Sequence, residues 1–298
     1  MEAELNKFNY LNVGAFALSW LLNSEADLGP DFPFLNGMRE LGRRYESIVT
    51  PAETTFLISH LVLLFQGIFT VTQMLPSYRD SRLVQDGVQH WFFASAVAQL
   101  FWSIDLGFEN IVGSLFSVLF MACMVYSNGQ ILMNQAAMTE AEQTSEQYWL
   151  LRFPFNLHTG WTMAVFIMSV NAFITFIGSG GFIQLIFGIL SLIGFAAMSW
   201  KMLLANGDKP NYAIPSVLSW FVLGIALDGR AGPNMEDYFP AWVVLLFTAL
   251  SGILGLGMAI FTGYLFYTNE VSESAKAAQA SEKEGTAYVA PDSEAALA

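Results

Sequence analysis

Charge is scarce in this sequence. Asp, Glu, Lys and Arg make up only 12% of its 298 residues, against a hydrophobic share of 54%. Average soluble domains carry about 25% charged residues. Several apolar runs approach or exceed the roughly 20 residues a helix needs to cross a bilayer, so the composition points to a polytopic membrane protein. Basic residues are the scarcer sign. Twelve Lys and Arg against 25 Asp and Glu leave a net charge of −13. Nucleic-acid binding needs a basic surface, so that class is excluded as a partner. Cysteine is nearly absent: Cys123 stands alone in an apolar run, and no internal disulfide can form. His60, His90 and His158 are the only histidines and are too scattered to mark a metal site. No GxSxG, HExxH, P-loop or dinucleotide fingerprint occurs. The chain is therefore expected not to be an enzyme. A cleavable leader is not expected either, because Glu2 and Glu4 oppose the basic start that such a leader needs.

What is present reads as eight helices in an all-α bundle. The runs fall at about 8–22, 56–75, 88–106, 111–133, 154–177, 182–204, 212–227 and 241–267. Breakers lie between them: Gly29, Pro30, Pro33 and Gly37 in a long first loop with Arg39, Arg43 and Arg44, then 178–181, 206–210 and 228–239. Thr50, Pro51 and Glu53 have the spacing of a capping box, with Thr50 as N-cap of the second helix. Residues 76–87 read as a polar connection, with Tyr78, Arg79 and Arg82 anchoring at headgroups. Asp105 and Glu109 read as solvated carboxylates at the exit of the third helix. Ser251, Gly255, Ala259 and Gly263 repeat every fourth residue, a spacing that lets another helix approach closely. Internal packing is the expected use of that seam, with a homodimer or membrane-complex contact as the alternative. Residues 268–298 are rich in Ala, Ser and Glu and are expected to form a disordered acidic tail.

Eight crossings put both termini on one side. Lys7, Arg79, Arg82, Arg152, Lys201, Lys209, Lys276 and Lys283 fall on that side, against Arg39, Arg43, Arg44 and Arg230 on the other. The excess places the termini inside.

The fifth helix organises the chain. Pro154 suits a first helical turn, where its missing N–H costs nothing. Asn156, Gly160 and Asn171 fall near one stripe with Met163 and Ile167. Polar groups are costly in hydrocarbon, so this stripe should face protein or a cavity. His158 and Asn171 lie about three and a half turns apart, on different faces.

The motif order resembles the TspO/MBR family, the translocator or tryptophan-rich sensory proteins. Thr50-Pro51-Ala52 with Phe56 fits its second helix. Gln99-Leu100 with Trp102-Ser103 fits the third. Pro154-Phe155, Gly160-Trp161 and Asn171 fit the fifth. Ser59-His60 stands where that family commonly has tryptophan. Tyr212-Ala213, Trp220 and Gly224-Ile225 resemble its longer members, which carry extra C-terminal helices. The resemblance implies a five-helix unit over 1–178 and a three-helix extension over 179–267. It also implies a pocket among the first five helices for a flat hydrophobic ligand of the tetrapyrrole or sterol class. Porphyrin or haem would be a ligand rather than a resident cofactor. The expected wall is Trp20, Trp102, Phe155, His158, Trp161 and Asn171. A structural or assembly subunit of a membrane complex, or a small-molecule transporter, is the alternative. No inverted repeat or paired broken helix favours the transporter.

Overall fold

A computed structural model describes residues 4–27, 46–105, 111–138, 144–204, 210–228, 235 and 237–287; for 23–27 and 273–287 it describes the backbone. The arginines of the first loop, Glu109, the 206–209 turn and Arg230 lie outside these residues. All eight expected helices are present. They are α1 (Lys7–Asp27), α2 (Ile58–Thr72), α3 (Trp91–Asp105), α4 (Ile111–Ala136), α5 (Phe153–Phe176), α6 (Gly181–Leu204), α7 (Ala213–Asp228) and α8 (Ala241–Ala287). Five helical stretches are long and apolar enough to cross a membrane: Glu53–Thr72, Ile111–Ala136, Ser145–Phe176, Gly181–Leu204 and Ala241–Ser272. Leu245, Ile253, Leu256 and Ile260 of α8 point outward from the bundle. In a bilayer that stripe meets lipid tails, where apolar side chains cost nothing.

The start of α2 departs from the expected capping box. Thr50 Oγ1 accepts from the Ser47 N–H at 2.9 Å and so closes a turn with its own upstream neighbour. No side chain caps the 3₁₀ turn Glu53–Leu57 that leads into α2. That turn is held by α7 instead. The Ala52 N–H donates to Gly224 O at 2.9 Å, and the Trp220 indole N–H donates to Thr55 O at 3.1 Å. Gly224 permits this approach, since a Cβ there would overlap Thr55. A true capping box forms at Thr144, whose hydroxyl accepts from the Gln147 N–H while Gln147 Oε1 accepts from the Thr144 N–H.

Two π-helical turns were not foreseen. Residues expected as a polar connection form one of them, Leu83–Val88, with Leu83, Val84 and Val88 fully buried. The other, Tyr148–Arg152, runs directly into α5. Gln135 of α4 lies between them and donates to Leu83 O at 3.3 Å and Leu151 O at 3.0 Å. A widened turn leaves carbonyls that need outside donors, and one side chain serves both. Arg152 is half-buried at this junction.

The core is continuous across residue 178. Leu157, Trp161 and Val165 of α5 pack with Leu192 and Phe195 of α6 and with Ile214, Leu218 and Phe221 of α7. Short as it is, α7 sits at the centre: Ile214, Leu218, Phe221 and Val222 are fully buried. Gly160 makes the α5–α7 approach possible, since a Cβ there would lie 2.9 Å from Val217 Cβ. The four-residue seam of α8 packs internally along its first half. Ser251 is buried, and Gly255 lies against Leu223 of α7. Residues 268–287 of the expected disordered tail continue α8 as helix, and the remainder of that tail, 288–298, lies outside the described residues. Its Ala, Glu, Lys and Gln are strong helix formers, and a helix already nucleated in the bundle extends without a second nucleation cost.

Candidate functional site

The residues of the expected wall divide between four environments. Trp20 leaves the site altogether: it is 55% exposed on α1. An amphipathic indole on the outside of a membrane helix acts as an interfacial anchor. Phe155 is fully buried but belongs to a second core, in edge-to-face contact with Phe69 at 4.7 Å and Phe92 at 5.4 Å. Asn171 ties α5 to α6, its amide donating to Ser191 Oγ at 2.7 Å and to Ile167 O at 2.9 Å. The polar stripe of α5 thus faces protein, as its cost in lipid requires.

Trp102, His158 and Trp161 come together. They line a cleft between α2, α3, α4 and α5, closed by Val62, Leu63, Gln66, Gln99, Met121, Met124, Thr162 and Val165, with Ser59 at its edge. α1 contributes no residue to the lining. Its space totals about 430 Å³ with the open mouth included, but only about 30 Å³ admits the centre of a water molecule. As it stands the cleft holds water-sized groups, not a large ring system.

The polar groups of the cleft are fixed from several helices. Gln66 Nε2 of α2 lies 2.9 Å from His158 Nδ1 of α5, and both side chains are buried. With the amide donating, His158 carries its proton on Nε2, the remaining polar atom of the ring. Thr162 accepts from Asn128 Nδ2 at 3.3 Å and donates to Thr159 O at 3.1 Å. Trp161 stands edge-on to Phe56, with centroids 5.7 Å apart, and lies 6.1 Å from Phe221 of α7. The Trp102 indole N–H is buried without a partner. Such orphan donors are uncommon inside proteins.

Gln66, Gln99, Met121, Met124 and Thr162 were missed by sequence reasoning. Gln66 carried a usable signal, a polar side chain inside an apolar span. His60, on the same helix, lies on the exposed side of α2. The methionines carried no signal, since apolar residues on lipid-facing and core-facing positions look alike. Among the described residues no group of His, Cys, Asp and Glu is placed to hold a metal.

No curated protein and no solved structure matches the chain. The family model for TSPO-like proteins matches residues 9–262, from the first turn of α1 to the fourth-residue seam of α8. With an all-helical bundle whose order of helices and motifs is the one expected of that family, the chain is a multi-pass integral membrane protein and belongs to the TSPO-like family.

Proposed function

We propose that this protein binds a flat hydrophobic ligand, of the tetrapyrrole or sterol class, in the cleft between α2, α3, α4 and α5, and that it does so for sensing, sequestration or transport rather than catalysis. The observation that carries this reading is the convergence of Trp102, Trp161 and His158 on one cleft in which a buried indole N–H has no partner. Aromatic faces stack on planar ligands, and a few fixed polar groups orient them. The narrowness of the cleft calls for opening on binding. Met121 and Met124 form one side of it, and methionine has flexible, unbranched side chains that repack readily.

The test is a titration of the full-length protein, folded in detergent and in lipid, with protoporphyrin IX, haemin and cholesterol. Tetrapyrrole absorbance and quenching of tryptophan emission are the readouts. Saturable binding at micromolar concentration, weakened by Trp161→Ala, is the expected result. Folded protein that binds none of the three removes the ligand reading in favour of an assembly subunit of a membrane complex.

A further inference from the structure

We propose that Gln135 is a positioning residue for the cleft: it latches to α4 the two π turns that lead into α3 and α5, and its release lets those walls part to admit a ligand. This role rests on the ligand-binding reading above and supplies the opening that a narrow cleft requires. α3 contributes Trp102 to the lining, α4 contributes Met121 and Met124, and α5 contributes His158 and Trp161. Gln135 ties these three helices together at one end. The turn Leu83–Val88 precedes α3, and the turn Tyr148–Arg152 runs into α5. The Gln135 amide donates to Leu83 O at 3.3 Å and to Leu151 O at 3.0 Å. Leu83, Ile131, Leu151 and Phe155 belong to one core, so the latch joins elements that already pack together. The cleft begins about 10 Å further along α5, from Leu151 to His158, and about 16 Å along α4, from Gln135 to Met124.

The latch is built to release. Gln135 is fully buried, yet its Oε1 has no partner. A buried acceptor left unpaired is unfavourable and offsets much of what the two donated bonds contribute. The side chain therefore holds both turns without holding them tightly. Strain lies beside it. Gln89, between the first turn and α3, has φ of 50° and ψ of −128°, a region that favours glycine. Release of the first turn lets that corner relax. Asn134 Nδ2 donates to Gly87 O at 3.2 Å, so the first turn keeps a second tie to α4. Gly87 leaves room for the latch, since a Cβ there would lie 2.7 Å from Gln135 Cγ. π turns inside helices gather at functional sites. With α3 and α5 rigid beyond their turns, a small movement at the turns becomes a larger one at the cleft.

The experiment places a thiol reporter in the cleft of the full-length protein. Val165→Cys lies buried in the lining, and Cys123→Ala removes the exposed native thiol. Alkylation by N-ethylmaleimide in detergent reads cleft opening with no ligand present, and hydrogen exchange reads the two turns. Gln135→Met keeps the length of the side chain and removes its donors. It is expected to raise the alkylation rate roughly tenfold, the scale of two lost hydrogen bonds partly offset, and to speed exchange over both 83–88 and 148–152. Gly87→Ala displaces the same side chain and is expected to act in the same direction, which keeps the test available if Gln135→Met fails to fold. Ile131→Val, buried in the same core on α4, controls for lost stability alone and should leave the alkylation rate within about twofold. Unchanged alkylation in the folded variants overturns the latch. Faster exchange in one turn only, or an equal rise in Ile131→Val, overturns it too. Association of protoporphyrin IX should quicken in parallel with alkylation. Folded protein whose cleft opens in Gln135→Met but which binds no protoporphyrin IX, haemin or cholesterol removes the ligand reading and leaves the latch standing.

Discussion

Gln66 and His158, 92 positions apart in sequence, meet in the buried interior at 2.9 Å between Nε2 and Nδ1. The contact joins α2 to α5 and fixes which edge of the imidazole faces the cleft. Gln66→Leu strips the imidazole of that partner. Leaving a buried polar group unpaired costs roughly 1–3 kcal/mol, so the variant should melt below wild type. The double variant Gln66→Leu with His158→Leu should recover part of that loss, because apolar partners of similar shape need no hydrogen bond. A thermal melt of the four proteins in one detergent checks this, and strict additivity would remove the pair as an energetic unit.

Trp161 and Phe155 lie on the same helix and should behave differently. Trp161 lines the cleft, whereas Phe155 fills the second core with Phe69 and Phe92. Trp161→Phe should reduce ligand affinity while preserving most of the packing against Phe56 and Phe221. Phe155→Ala should destabilise by about 3–5 kcal/mol, the range for emptying a core aromatic site. Melting temperature and titration on the same samples separate the two. A Phe155→Ala protein as stable as wild type would contradict the packing described above.

The capping interactions give a paired test. Thr144→Ala removes a two-sided capping box and should cost roughly 1 kcal/mol. Thr50→Ala removes only a turn-closing bond to Ser47, since Thr50 caps no helix. Helix two should therefore keep its start in the Thr50 variant, because Gly224 and Trp220 hold that turn. Hydrogen exchange over 53–60 reads this out; fast exchange there in Thr50→Ala would restore Thr50 as the cap.

Tyr78 gives a pH prediction outside the spanning segments. Its phenol donates to Glu146 Oε1. That bond, with smaller contributions from desolvation and the nearby negative charge, raises the Tyr78 pKa above its ordinary value of 10.0. A raised pKa in the folded state means that the contact contributes fully below pH 10 and is lost as pH climbs through the higher folded value. Alkaline titration of phenolate absorbance should show Tyr78 ionising later than in Glu146→Gln. Identical curves would show that the carboxylate does not hold the phenol.

Parts of this arrangement were legible residue by residue. Pro154 lies in the first turn of α5 as its missing N–H requires. Gly178, with φ of 71°, ends the segment where the glycine cluster predicted a stop. Asn171, expected in the cleft wall, instead ties α5 to α6 through Ser191; its separation from His158 around the helix was the signal against that placement. Other parts were not legible. The Thr50 spacing fits a capping box, yet the Ser47 N–H competes for the same hydroxyl. Trp20 is aromatic like Trp102, and nothing in its neighbours shows that it points away from the bundle. The π turns around Gln135 depend on a donor that arrives from another helix.

Apolar run length and breaker position determined that this chain is a helical membrane bundle, with the eight expected helices all found among the described residues, because backbone groups in lipid must bond within each segment. The motif order determined its family. Tertiary structure decided which face of each helix is interior. Lipid and core are equally apolar, so periodicity that reveals burial in a soluble protein is nearly silent here. Only the close approaches at Gly160 and Gly224 show that the short α7 occupies the centre. Only helix packing brings Gln66 to His158 and gathers Trp102, His158 and Trp161 around one cleft.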